Sequence, residues 1–481
     1  MTTDKLPDLV MEIIFSYLNQ YDDLDNVRLV NRQWCRIACT VIRIFKKSFL
    51  RCNQMTWELQ KTVENEDESI IAKRCSHASC YHDGSKKLYI FGGCTDNYTA
   101  FNDLWSFDLK SRKWSREFIK CAPFPRPKAM SIFVPYKEYL ILHGGFSKSS
   151  PNPIHQAANF YNEMHMYDTK TSEWVEFETE PSPPMIASHC ACVVDDFLVI
   201  FGGSHNSRAT NSVYVLDIVS KTWHIPSIAK RSNLIAELSS HLLEPAPRYG
   251  SSCVLIDKSH LLVIGGCGGP NCIYNDAWLL KFDLTLCTAW EWKQVTITNP
   301  KSGPSQLWCH PACPVGQNLA CISYAKKQNK YKAVSLDLCS APFHITSRNP
   351  MRALPRSIIT GSPSVSRSMN YQSSTNFGSL FLDFSSRQRG NGLLRCKKRP
   401  GTACVYVLNT AKVLEDQTVT WLQQDIDLNA PDDTMLYSLS AGRGELIMFG
   451  GMRSDMRDDG SNPFVHIITN DVYILRPFRS V

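Results

Sequence analysis

The sequence predicts a small three-helix domain followed by an all-β array of repeated four-stranded units, and three observations predict it. An apolar run of four or five residues stops on a Gly-Gly pair five times, ending at Gly93, Gly145, Gly203, Gly266 and Gly451. Such a run bounded by glycine reads as a buried strand entering a turn. The residues after each pair repeat as well: in the first instance a polar loop, Asn102 to Leu109 with alternating large apolar residues, a tight turn, and Lys113-Trp114. Residues 6–49 lack this pattern and space their apolar residues at helical intervals.

In chain order, Leu6-Pro7 opens the first helix, where a proline is tolerated in the first turn. Leu9, Ile13 and Tyr17 fall on one stripe of it, with Val10 and Ile14 alongside. Asp22-Asp23 places acids at the start of a second short helix. Val27, Val30 and Trp34, then Ile37, Val41 and Ile44, continue the helical spacing. Three short helices barely enclose a core, so an apolar face is expected to remain for a partner. Residues 50–74 form a connector, within which the segment around Trp57 reads as the Trp-bearing last strand of a repeat. The final repeat ends at Leu475 without such a strand. An open array would expose two sheet edges. The strand near Trp57 is therefore expected to complete the last unit and close the ring.

The regular units run from Cys75 to Val295, with Asn162 to Asp168 and Trp174, Asn211 to Asp217 and Trp223, and Asn275 to Asp283 with Trp290 or Trp292. Four strands in roughly 50–60 residues is the size of a propeller blade. Between Gly266 and Gly450 the spacing more than triples. Asn318 to Tyr324 replaces the Gly-Gly strand there, with either Tyr331 to Asp337 or Ala403 to Asn409 next, and then Thr420-Trp421. Residues 341–400, rich in Ser, Arg, Asn, Gly and Pro, read as a basic disordered insertion, because that composition does not offset the entropy of ordering. The plan is then 1–49 helical, 50–74 connector, 75–340 four units and the start of a fifth, 341–400 insertion, and 401–481 the rest.

The joint order of Gly-Gly, Asn-Asp, Tyr/Phe-x-x-Asp and Trp resembles kelch repeats. Leu6-Pro7, Ile14 to Leu18 and Asp23 to Trp34 resemble an F-box, with Leu9 standing where that family usually carries an acid. The resemblance implies a multidomain α + all-β fold: an F-box, then a six-bladed kelch β-propeller closed by an N-terminal strand. It implies that Leu6, Pro7, Val10, Ile13, Ile14, Leu18, Val30 and Trp34 bind the adaptor Skp1, and through it a cullin–RING ligase. The chain would be the substrate-recognition subunit of an SCF-type E3 ubiquitin ligase, non-catalytic itself, with a protein substrate on the propeller. Two other readings stand beside it: a non-ligase kelch scaffold, for example a cytoskeletal one, and a propeller enzyme.

Composition narrows the class. The 481 residues are 43% apolar and 20% charged, ordinary for a globular protein. No apolar run reaches the roughly 18–20 residues of a membrane span, and the N-terminus lacks the pattern of a signal peptide. The 19 cysteines are scattered, many in strand-like runs such as Cys190, Cys192, Cys253 and Cys321, which reads as reduced thiols in an intracellular protein, cytoplasmic or nuclear. The net charge of +7 is concentrated between Arg348 and Arg399, where Asp383 is the sole acid, so the balance argues against a nucleic-acid partner. The insertion reads by default as a solvated linker, with a nuclear-localisation signal around Arg395 to Pro400 or a nucleic-acid tail as the alternatives.

No cofactor, metal or catalytic residue is expected. The Gly-Gly pairs lack the strand–GxGxxG–helix context of a phosphate loop. Cys309-His310-x-x-Cys313 has no second pair to close a zinc site. The substrate face is expected on the loops after Gly-Gly and between units, since loops on a rigid scaffold carry binding residues. Its candidates are Tyr98, Arg126, Phe146, His205, Arg208, Arg248 and Arg453. Arg126 and Arg248 each precede a strand residue by five, and equivalent arginines on successive units either bridge adjacent units structurally or form a cationic rim for an acidic or phosphorylated segment.

Overall fold

The computed structural model describes residues 6–47, 55–60, 70–118, 123–148, 158–206, 208–229, 244–269, 272–285, 290–316, 318–324, 402–422, 430–456 and 464–477. The basic stretch 341–400 and the Tyr331 to Asp337 alternative lie outside these residues.

Three helices open the chain: α1 (Asp8–Ser16), α2 (Asp23–Val27) and α3 (Arg32–Lys47). Pro7 precedes α1 at φ −58°, and its carbonyl accepts the amides of Val10 and Met11 at 2.9 and 3.1 Å. Met11 and Phe15, one turn apart, face inward and pack with Leu24, Ile37, Ala38, Val41 and Phe45. The stripe of Leu9, Ile13 and Tyr17 faces outward. Helix α1 therefore has two apolar faces and buries one.

The rest is a propeller-type all-β region of antiparallel meanders. The first sheet comprises Ala78–His82, Lys87–Phe91, Leu104–Asp108 and Lys113–Arg116; the second Ile132–Tyr136, Tyr139–His143, Met164–Asp168 and Glu173–Glu176. The third comprises Cys190–Val194, Phe197–Phe201, Val213–Asp217 and Thr222–His224; the fourth Ser252–Asp257, His260–Ile264, Ala277–Lys281 and Glu291–Thr298. Ala312–Val315, Asn318–Tyr324, Ala403–Asn409 and Thr418–Leu422 come next, so Ala403–Asn409 is the strand that pairs beside Asn318–Tyr324. Thr296 to Thr298 also runs parallel to Thr418 to Thr420, fusing two meanders into one sheet. The last sheet orders Met55–Gln60, Phe464–Pro477 and Leu446–Met456, with Trp57 opposite Leu475. Trp57 is buried there, edge-on to Tyr473 at 6.0 Å.

The repeated sequence grammar has a local cause. Asp108, Asp168 and Asp217 each accept two backbone amides of the turn just after them, at 2.7–3.3 Å, as an aspartate turn requires. The Gly-Gly pairs connect neighbouring sheets. The second glycine donates its amide to the next sheet in the pairs Gly93–Lys128, Gly145–Ile186, Gly203–Arg248, Gly266–Leu307 and Gly451–Arg74. At Gly92 (φ +63°) a Cβ would stand 2.5 Å from the Lys128 carbonyl oxygen, so the approach admits only glycine. Asn318–Tyr324 lacks the pair, and Tyr437 takes over its task. Its hydroxyl donates to the Ile322 carbonyl at 2.6 Å and accepts the Ile322 amide at 3.2 Å.

Candidate functional site

Two surfaces stand out, one on the helices and one on the sheets. On the helices, Leu6, Leu9, Val10, Ile13, Ile14 and Tyr17 are all exposed, Leu9 at 68% and Tyr17 at 77%. Leu29 and Val30 are exposed on the turn before α3. An apolar patch of this kind on a water-facing helix marks an interaction surface. Of the eight residues expected to meet a partner, Leu6, Pro7, Val10, Ile13, Ile14 and Val30 are exposed. Leu18 and Trp34 are half-buried against the helical core, and Trp34 lies edge-on to Phe15 at 5.3 Å. Those two support the face from behind. Leu9, Tyr17 and Leu29 belong to the patch although the family pattern does not single them out; the exposed Leu9–Ile13–Tyr17 stripe was the available signal.

The helical domain is held to the sheets by a buried polar cluster. Tyr21 leaves the helices and enters a core built by Leu88, Trp105, Phe107, Ile447 and Phe449. Its hydroxyl donates to Glu445 at 2.8 Å and accepts the Arg443 amide at 3.2 Å. Burial first, then the neighbouring Glu445, pushes the Tyr21 phenol well above its ordinary pKa, so it stays a donor. The fully buried Glu445 carboxylate also receives Arg112 through both nitrogens at 3.0 Å and Arg476 at 3.1 Å. Arg443 reaches Asp83 (2.8 and 3.1 Å), Asp25 (2.9 Å) and the Gln20 carbonyl (3.0 Å). Burial raises the Asp83 pKa, but the hydrogen bonds from Arg443 outweigh it and hold that carboxyl well below the usual range. Gly444 (φ +83°) lets Phe45 of α3 rest on this turn, where a Cβ would meet the Phe45 Cβ at 2.7 Å.

On the sheets, the expected substrate residues divide. Tyr98 is half-buried, Arg126, His205 and Arg208 are exposed, and Arg453 is half-buried. His205 packs on Phe160 at 5.4 Å and bonds the Met185 carbonyl at 2.8 Å. Phe146 and Arg248 are corrections. Phe146 is buried in an apolar layer with Cys94, Ala129 and Ala187. Arg248 is fully buried and binds Asp276 through two nitrogens at 2.6 and 3.0 Å, beneath the Tyr274 ring.

Arg248 therefore has no place on a surface rim. Its counterpart in the second sheet is Lys128, paired with Glu163, and not Arg126; in the first it is Arg74, bound to Asp103 at 2.7 and 2.8 Å. The Asn-Asp or Asn-Glu of these three repeats supplies the carboxylate, and the residue before it (Phe101, Tyr161 or Tyr274) covers the cation. The third sheet has Ile186 and Ser212 in these places, with no ions at all.

A channel of about 170 Å³ is lined by one strand start from each sheet. Ser76, Met130, Ser188, Gly250, Cys309 and Leu436 have positive φ, and the amides of the first five each donate to the preceding sheet's member of the set, at 2.8–2.9 Å. His77, His189 and His310 come immediately after, on alternate sheets, and are buried. Burial drives the imidazole pKa down to about 3 in His77 and in His143 beside His189, and to about 4 in His310. Arg74 near His77 and Lys128 near His143 add to this. These side chains are neutral in the fold, while the unfolded chain takes up protons below about pH 6.5. Stability is therefore full above that pH and falls as pH drops toward 4, by up to about 1.4 kcal/mol per pH unit for each histidine. Urea unfolding across that range should show the loss, and His310→Gln should flatten its slope. A midpoint independent of pH in this window would contradict the assignment. Among the described residues no three His, Cys, Asp or Glu gather as a metal ligand set.

The family model described as F-box-like matches residues 3–51, and the one described as FBX42, beta-propeller domain matches residues 74–290. Kelch domain-containing protein 1 of Homo sapiens is 30% identical over 249 residues, covering 47% of this chain and 56% of that protein. The Mus musculus protein of that name is 27% identical, covering 57% and 66%. Acyl-CoA-binding domain-containing protein 4 of Arabidopsis thaliana is 25% identical, covering 48% and 32%. The matches thus span about two thirds or less of these relatives' own length.

Proposed function

From a chain that is an F-box/kelch protein resembling FBX42, we infer a substrate-recognition subunit of a Skp1–cullin–F-box ubiquitin ligase. The F-box-like segment and the propeller-type region fit a recognition adaptor, and the observation that carries the reading is the unpartnered apolar face of α1. Six large apolar side chains, Leu6 to Tyr17, stand in water on the segment that matches the F-box. A Skp1-type adaptor would cover them and bring the cullin–RING machinery. The chain contributes position, not chemistry, and its sheets hold the protein to be modified. We read the sheets as six blades, with Met55–Gln60 as the outer strand of the last, closing the ring beside Phe464–Pro477.

The test is co-expression of the full chain with Skp1. The intact chain should co-purify with Skp1, and Leu6→Ala/Pro7→Ala should weaken the complex. Ile13→Asp should weaken it by more than about tenfold, since a buried charge at an interface centre has no counter-ion. A folded chain that ignores Skp1, or an Ile13→Asp chain that binds it unchanged, would remove the adaptor reading.

A further inference from the structure

A concave site of about 290 Å³ opens between the loops of the first and second sheets, lined by Tyr98, Thr99, Pro127, Ser147, Lys148 and Tyr161. Lys148 ends the first strand of the hairpin Phe146–Lys148/Ala158–Phe160, its ammonium 4.2 Å from the centre of the Tyr98 ring. No carboxylate among the described residues pairs with it, and the next residues, 149–157, contain neither Asp nor Glu. Half-burial lowers its pKa, with the neighbouring Cys94 opposing the shift. On the other wall, the cationic groups of Arg126 and Lys128 lie 5.6 and 5.2 Å from the Tyr161 ring centre.

Arg126 and Lys128 share a single carboxylate, Glu163. Asp96, exposed on the neighbouring loop, accepts the Asn97 amide on one oxygen at 2.9 Å. Lys148 is thus the cation that lines the pocket, while Lys128 is fully buried and both it and Arg126 are paired with Glu163. Hydrogen-bonding hydroxyls complete it: Ser147 Oγ and Tyr161 Oη are 2.5 Å apart, with Thr99 beside them.

We propose that this pocket receives an acidic side chain of a bound protein segment, its oxyanion facing Lys148 and the Ser147–Tyr161 hydroxyls. The Tyr98 and Tyr161 rings give the side chain's methylenes an apolar wall, and Lys148 is the charge-assisted donor. The proposal rests on the reading of the sheets as the target-holding part. Carboxylate and phosphate share this chemistry, and a free anion shares it too.

The full chain is titrated with fluorescent decapeptides rich in glutamate, phosphoserine or lysine, and separately with inorganic phosphate. The acidic peptides should bind and the basic one should not, with affinity falling as salt screens the cations. Lys148→Met should weaken binding by about tenfold or more, while Lys148→Arg keeps it, as loss of a charge-assisted contact predicts. Ser147→Ala, which removes a donor from a half-buried hairpin, should weaken it less and serves as the second variant if Lys148→Met fails to fold. The tighter of glutamate and phosphoserine identifies the source of the oxyanion. Equal binding by wild type and both variants would overturn the proposal, as would inorganic phosphate binding as tightly as the phosphopeptide. A chain that still co-purifies with Skp1 but binds no acidic peptide overturns this inference alone and leaves the adaptor reading in place.

Discussion

Replacing Glu445 with alanine is expected to destabilise the protein by about 3–5 kcal/mol, the range for a buried ion cluster that loses one member. The carboxylate is fully buried and receives Tyr21, Arg112 and Arg476. Removing it leaves the Arg112 guanidinium and the Tyr21 phenol without this acceptor, and Arg476 with Glu58 alone. The loss should appear as a lower urea midpoint, and as protease attack on the helical domain before the sheets. Tyr21→Phe, which removes one hydrogen bond and keeps the packing, should cost only about 1 kcal/mol. Equal effects of the two changes would mean that the carboxylate does not organise the junction.

A similar loss, about 3–5 kcal/mol, is expected for Arg248→Ile, because Asp276 would be left half-buried with only Trp278 as donor. Here the molecule also contains the remedy. The third sheet builds the same corner from Ile186, Thr210 and Ser212, with no charge. Arg248→Ile combined with Asp276→Ser should therefore recover most of the stability, since replacing both members of a buried pair is often close to neutral. Chemical denaturation of the single and double variants measures the difference, and a double variant as unstable as the single one would deny the equivalence.

Features that act over a few residues were legible in the sequence. Gly-Gly imposes positive φ, an aspartate caps its own turn, and helical spacing places Leu9, Ile13 and Tyr17 on one face, though the inward face of Met11 and Phe15 was not read. The role of Asn-Asp was not, because its partner lies elsewhere: Asp103 answers Arg74, and Asp276 answers Arg248, each 28 or 29 residues away. Counting from strand residues aligned Arg126 with Arg248. The positive-φ residues Met130 and Gly250 set the true register two residues later, at Lys128. The junction was still less visible, since Tyr21 meets Glu445 across 424 positions with no local pattern to announce it. On the helices the outward stripe was plain, whereas the inward retreat of Leu18 and Trp34 depended on how the three helices cross.

The pairing of Met55–Gln60 with Phe464–Pro477 has a consequence for synthesis. Thr56 and its partner Arg476 are 420 residues apart. At about 5–20 residues per second, the early strand waits roughly 20–80 s on the ribosome for its neighbour. Arg443 and Glu445, which grip Tyr21 and Asp25, and Arg476, which braces Glu445, arrive in the same late stretch. A nascent chain stalled before them displays helices that are tethered but not seated. Firm mounting of the apolar helix is thus coupled to the synthesis of residues 443–477, and a product that stops before them lacks it.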